Sequence, residues 1–141
     1  MRLLRASLLV FILAPLVDSA LAEPRLVVVI HPDRPDTLTV GDVRQIYLKK
    51  RRYWSDGRPI IPINRDAASE IRATFSRAVF GPTAGRLATY WKRRYFQGVL
   101  PPATLASAAA VKRFVATEPN AIGYLEADDA DDSVRVAVAL E

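Results

Sequence analysis

With 141 residues, a net charge of +5, one histidine and no cysteine, the chain has length for one ordinary core and not for two lobes of usual size. The composition excludes a disulfide framework and any thiolate metal site, and a single imidazole cannot supply a histidine cluster. The positive balance leans toward anionic partners without naming one.

Taken in chain order, Arg2 and Arg5 precede an apolar run from Leu8 to Val17, and Ala20-Leu21-Ala22 has a small-residue cleavage pattern. Residues 1–22 are therefore expected to be a cleaved signal peptide and residues 23–141 a single domain. The apolar run stops at Asp18, short of the roughly 20 residues that span a bilayer. Leu26-Val27-Val28-Val29-Ile30 is a continuous β-branched run, expected to be a strand buried on both faces. Thr39-Val40-Gly41-Asp42 has the form of a capping box, and Val40, Val43, Ile46 and Tyr47 follow at helical spacing up to Leu48. After a loop closed by Ser55-Asp56-Gly57, Ile60 to Ile63 reads as a second strand. Pro62 has no amide to donate, which predicts an edge position or pairing on one side only.

From Ala67 to Phe80, Ile71, Phe75, Ala78 and Val79 form an apolar helical stripe, with Thr74 its one polar member. Gly81-Pro82 ends that helix and Thr83 is placed to cap the next, which carries Leu87, Trp91 and Tyr95. Beyond Pro101-Pro102 a fourth helix is expected with Leu105, Ala108, Val111 and Val115. Ala121 to Leu125 and the alternating Val134, Val136 and Val138 complete the pattern as strands. The order predicts an α/β fold, a small mixed sheet flanked by helices.

The junction "IPINRDAASEIRATF", Ile61 to Phe75, is the best candidate for chemistry. A helix starting near Ala67 or Ala68 leaves its first amides unpartnered at the positive end of the dipole, where an anion binds well. Small residues there, Ala67, Ala68 and Ser69, let an oxyanion reach the backbone; Ser69 adds a hydroxyl and Arg65 a guanidinium able to grip two oxygens. The same residues also read as an ordinary helix capped by Asp66 beside a solvated arginine.

Four stretches, in order and spacing, resemble the periplasmic phosphate-binding proteins of ABC transporters, and most closely their short single-lobe relatives. "LTVGDVRQIYLKKRRYWSDG" is similar to the family's short helix ending in Ile-Phe/Tyr-Leu-Gly before a Trp-containing loop. "INRDAASEIRATF" is similar to its strand, arginine and Ser-Gly-Thr helix start. "YWKRRYFQGVLPP" and "EPNAIGYL" resemble two further signatures. The resemblance implies one lobe of a type 2 periplasmic-binding-protein-like fold and a periplasmic location. It also implies a phosphate or related oxyanion as ligand, held by Arg65, Ser69 and the backbone of Ala68, Glu70 and Ile71. Glu70 and Ile71 stand where the family has Gly and Thr, and Lys49 where it has Gly. With the equivalent of only one lobe, the implied half-site is open to water, and its weaker, screened electrostatics imply weak binding or a missing half supplied by self-association or an envelope protein. The contrasting expectation is a non-transport interaction or sensing module that kept the fold and lost tight ligand binding.

No acid–base pair or activated nucleophile is visible, so no catalytic residue and no enzyme activity is expected, and no cofactor or metal. Glu126, Asp128, Asp129, Asp131 and Asp132 lack the glycine and terminal glutamate of a calcium loop and read as a solvated turn. Lys49-Lys50-Arg51-Arg52-Tyr53-Trp54 and Lys92-Arg93-Arg94-Tyr95 read as a solvated basic face around a structural tryptophan. Their alternative is a grip on a polyanion, for an exported chain a membrane or envelope surface rather than nucleic acid.

Overall fold

The computed structural model describes residues 25–141; the expected signal peptide, residues 1–22, lies outside the described residues. The elements run β1 (Leu26–Ile30), α1 (Val40–Tyr47), β2 (Ile61–Arg65), α2 (Glu70–Phe80), α3 (Leu87–Phe96), β3 (Ala103–Leu105), α4 (Ala108–Thr117), β4 (Ala121–Glu126) and β5 (Arg135–Leu140), with a 3-10 turn at Gly81–Arg86 joining α2 to α3. One mixed sheet has the order β3-β2-β4-β1-β5. Strand β2 runs parallel to both β3 and β4, and β1 antiparallel to β4 and β5.

Strand β1 lies inside the sheet, and its alternate side chains feed two cores. Val28 and Ile30 join Val43, Ile46, Tyr47, Phe75 and Val79 under α1 and α2; Val27 and Val29 join Val111, Val115 and Leu125 under α4. This is the physical meaning of the unbroken β-branched run: helices cover both faces, so neither parity of the strand meets water. Each fully buried Val, Ile or Phe here contributes roughly 1.5–3 kcal/mol before entropy. At Gly123 a methyl group would lie 2.6 Å from a Val111 methyl, so α4 approaches β4 too closely for any side chain.

The α1 boundaries follow local rules. Thr39 and Asp42 form the reciprocal capping box. At the other end Lys49 N donates to the Ile46 carbonyl and Lys50 N to the Gln45 carbonyl, both at 2.9 Å, which is the Schellman pattern. Lys49 adopts a φ of 53° to make it, alone among the non-glycine residues described.

Pro62 pairs on one side only, as its missing amide predicts: Ile61 and Pro62 pair with β4, while Ile63 to Arg65 pair with β3. Several other sequence expectations are corrected. Helix α2 begins at Glu70 with Ser69 as its cap, because Asp66 to Ala68 form a turn first. The Thr83 hydroxyl donates to the Phe80 carbonyl at 2.6 Å and caps nothing. Leu105 ends strand β3 rather than starting a helix; Ser107 caps α4. Val134 and Val138 do not share a face. A bulge opposite Val28 and Val29 leaves Ala137 out of register, so Val134 packs on the α4 core and Val138 on the other.

Candidate anion-binding site

The carboxyl ends of the parallel strands β2 and β3 lie side by side, Arg65 opposite Leu105, and the chain leaves each for a helix, α2 and α4. Two helix starts thus rise from one end of the sheet, which is where ligands gather in open α/β sheets.

Tyr124, on β4, organises this end. Its ring stacks on Phe75 with centroids 3.8 Å apart and planes 5° from parallel, which fixes the hydroxyl beneath the end of β2. That hydroxyl accepts from the Arg65 amide at 3.1 Å and donates to Asn64 Oδ1. Burial pushes the phenol up to about 12, against the pull of the Arg65 amide and the nearby Arg72 and Arg65 charges. It is a neutral donor at physiological pH, and the saturated Asn64 oxygen leaves the Asn64 NH2 as the group free to donate.

Two guanidiniums lie near this hydroxyl. Arg65 reaches the Ala106 carbonyl through Nη2 at 3.2 Å, and its Nε is buried without a hydrogen-bond partner. Arg72, one turn into α2, points back to the Arg65 carbonyl through Nη1 at 2.9 Å. Among the described residues neither has a carboxylate partner. Arg72 is absent from the sequence-derived set because that reading measured from the strand end and stopped at the presumed first turn. The later helix start brings residue 72 to N3 and within reach.

The other sequence-derived residues are placed as follows. Ser69 donates its hydroxyl proton to the Asp66 carbonyl at 2.7 Å and accepts weakly from Arg72 N at 3.4 Å. Its oxygen therefore serves the helix cap rather than standing free. Ala68 is exposed in the turn outside the helix, Glu70 is exposed at the first helical position, and Ile71 leans onto the α1–α2 core. The open amides of the α2 start belong to Glu70 and Ile71. None of Arg65, Ala68, Ser69, Glu70 and Ile71 lines any of the three principal cavities among the described residues. A cavity of about 180 Å³ lies alongside, walled by Asn64, Arg72, Ser76 and Trp91 among others. The larger ones, about 390 and 410 Å³, lie under the Lys49–Tyr53 loop and beside Arg25, Arg77 and Glu141.

A second polar cluster went unread in the sequence. Arg34, 5% exposed, bonds the Pro119 carbonyl, Asp56 and Asn120 and stacks 4.7 Å over Trp54. Asp36 faces it at 3.6 Å, and Arg135 donates to the Arg34 and Asp36 carbonyls. Burial alone would raise the Asp36 carboxyl, but hydrogen bonds from Ser55 and the Arg34 charge outweigh it and hold the group below its usual range. With both charges compensated inside the fold, this cluster clamps the Trp54 loop to the sheet. In the acidic loop Asp131 pairs with Lys112 at 2.8 Å, and no group of metal-ligating side chains forms among the described residues.

Comparison with known proteins places this geometry. Residues 20–139 match the model of the PBP superfamily domain. Among solved structures the fold resembles an ABC-type phosphate transport receptor from Vibrio cholerae, at 20% identity and a TM-score of 0.61, over 79% of this chain and 44% of the other. A Clostridium perfringens protein described as a phosphate ABC transporter substrate-binding protein with bound phosphate aligns at 23% identity and 0.65, over 79% and 43%. PstS from Borrelia burgdorferi aligns at 19% and 0.58, over 77% and 42%. The chain spans less than half the length of each of these proteins. It has the α/β fold of a single lobe, a five-stranded mixed sheet flanked by helices, and it belongs to the PBP superfamily domain family.

Proposed function

We propose that this chain is an exported, single-lobe oxyanion-binding domain, non-enzymatic, that holds phosphate or a related tetrahedral anion at the carboxyl end of β2. The observation carrying the reading is the Arg65 Nε, buried and unbonded at an end of the sheet where neither Arg65 nor Arg72 has a carboxylate partner among the described residues. An oxyanion at this end of β2 would offer that Nε a partner and accept from the Glu70 and Ile71 amides, with Arg65 and Arg72 supplying charge nearby. The phosphate named for the structural relatives supports the ligand class. Residues 1–22 act in this reading as the signal peptide and residues 23–141 as the periplasmic domain.

Glu70 adds a carboxylate at the site's edge and the site is open to water, so affinity is expected on the order of millimolar, where charge-assisted contacts are screened. Titration of phosphate and of sulfate into residues 23–141, followed by amide chemical shifts, tests this. Shifts should concentrate at Arg65 to Arg72 and fall at least about tenfold in apparent affinity in both Arg65→Ala and Arg72→Ala. Shifts absent at tens of millimolar anion, or undiminished in both variants, would refute it.

A further inference from the structure

The two basic and aromatic stretches singled out in the sequence, far apart in the chain, form one surface. The Tyr90 hydroxyl on α3 donates to the Leu48 carbonyl at 2.7 Å, and Lys50 Nζ sits 5.9 Å over the Tyr90 ring. The loop after α1 and the end of α3 then face each other across a groove of about 390 Å³, with Lys49, Arg52 and Tyr53 on one wall and Gly98 to Leu100 on the other.

Two properties of this surface have no structural explanation. Helix α3 buries none of its residues fully. Of the five large apolar side chains most exposed among the described residues, Tyr53 at 60% and Tyr95 at 63% belong to these two stretches, and Phe96 at 79% and Leu100 at 59% follow closely after the second. Charge is equally one-sided. No Asp or Glu occurs between Val43 and Ser55 or between Ile71 and Thr117. Arg51 is spent on Asp42 and Asp36, but Lys49, Lys50, Arg52, Lys92 and Arg93 have no acidic partner among the described residues.

We infer that this face docks peripherally on an anionic phospholipid surface, with Phe96 and Leu100 entering the apolar boundary and Lys49, Lys50, Arg52, Lys92 and Arg93 at the phosphate level. The chemistry matches layer by layer. Phe96 is the most exposed of the large apolar side chains, tyrosines suit the headgroup zone, and the unpaired cations neighbour them in the chain. A purely acidic protein segment would use the cations and leave a 79%-exposed phenylalanine without a partner. No helix among the described residues is long and apolar enough to cross a membrane, so contact would be at the surface. The side chains named here are not those of the Arg65–Arg72 site, although Trp91 of α3 borders the cavity beside Arg72, and the inference stands whether or not that site binds anions.

Sedimentation of residues 23–141 with phosphatidylcholine vesicles, with and without phosphatidylglycerol, tests it; residues 1–22 are omitted because their apolar run would itself partition into lipid. Binding should require phosphatidylglycerol and weaken steeply with salt. It should fall about fivefold for each cation neutralised, as in Lys49→Gln and Arg52→Gln, and about tenfold in Phe96→Ser. These side chains are outside the core, so unchanged thermal melting would certify the variants as folded. No partition onto phosphatidylglycerol vesicles at low salt would overturn the inference. So would binding unaffected by Phe96→Ser, or polyglutamate bound as tightly as the vesicles.

Discussion

Lys49 gives the most direct test of how backbone geometry and sequence disagree in this fold. It holds the left-handed position that ends a Schellman motif, at φ 53°, and a side chain there costs about 1–2 kcal/mol. Glycine removes that cost but loses roughly 0.5–1 kcal/mol more on folding because its unfolded chain is freer. Lys49→Gly should therefore stabilise the domain by about 0.5–1 kcal/mol, or about 2–5 °C in melting temperature for a chain of this size. Charge confuses the comparison, because burial, and then the Arg52 charge, lowers the Lys49 ammonium pKa. Lys49→Ala resolves this: it removes the same ammonium and the same methylenes yet keeps a β-carbon at positive φ. The decisive quantity is the difference between the two variants in urea and thermal unfolding. If Lys49→Gly is no more stable than Lys49→Ala, the left-handed strain assigned here is wrong.

Two further outcomes follow from the packing. Gly123→Ala should destabilise by about 1–3 kcal/mol in denaturant unfolding, since its methyl would meet Val111 at 2.6 Å and α4 must move off the sheet. Pairing it with Val111→Ala should recover part of the loss, as a double-mutant cycle would show. Asp36 has a folded pKa below its usual 3.8, so its carboxylate stabilises the fold above about pH 4, and that stability is lost as pH falls through the lower folded value. Asp36→Asn should cost about 1.5–3 kcal/mol at neutral pH, because it weakens the charge-assisted bond from Ser55 N and leaves Asp56 as the remaining carboxylate on Arg34, and should flatten the acid limb of a melting-temperature profile. An unchanged acid limb would assign the pH dependence to other carboxylates.

Where a signal is local, the sequence carried it to the correct residues. The Thr39–Asp42 capping box, the α2 stripe and the two-sided burial of Leu26–Ile30 need only neighbouring side chains and a period of 3.6 or an unbroken run. The start of α2 was displaced because Ser69 and Asp66 are both competent caps, and the choice depends on Ser69 donating back to the Asp66 carbonyl. Strand β3 was unreadable for a different reason. Three residues carry no period, and they are a strand only because Ile63 to Arg65 offer a free edge beside them.

Composition and local pattern alone determined the α/β class, most of the elements and a cationic end to β2. Tertiary structure decided which cations count. Arg72 reaches the Arg65 carbonyl because α2 begins late, and both arginines stay without a carboxylate among the described residues, whereas Arg34 and Arg51 are consumed by Asp36, Asp42 and Asp56. Likewise only the closure of α3 against the loop after α1 joins Tyr53 to Leu100. Charge and apolar content are additive along a chain, but whether an arginine or a phenylalanine has a partner depends on residues tens of positions away.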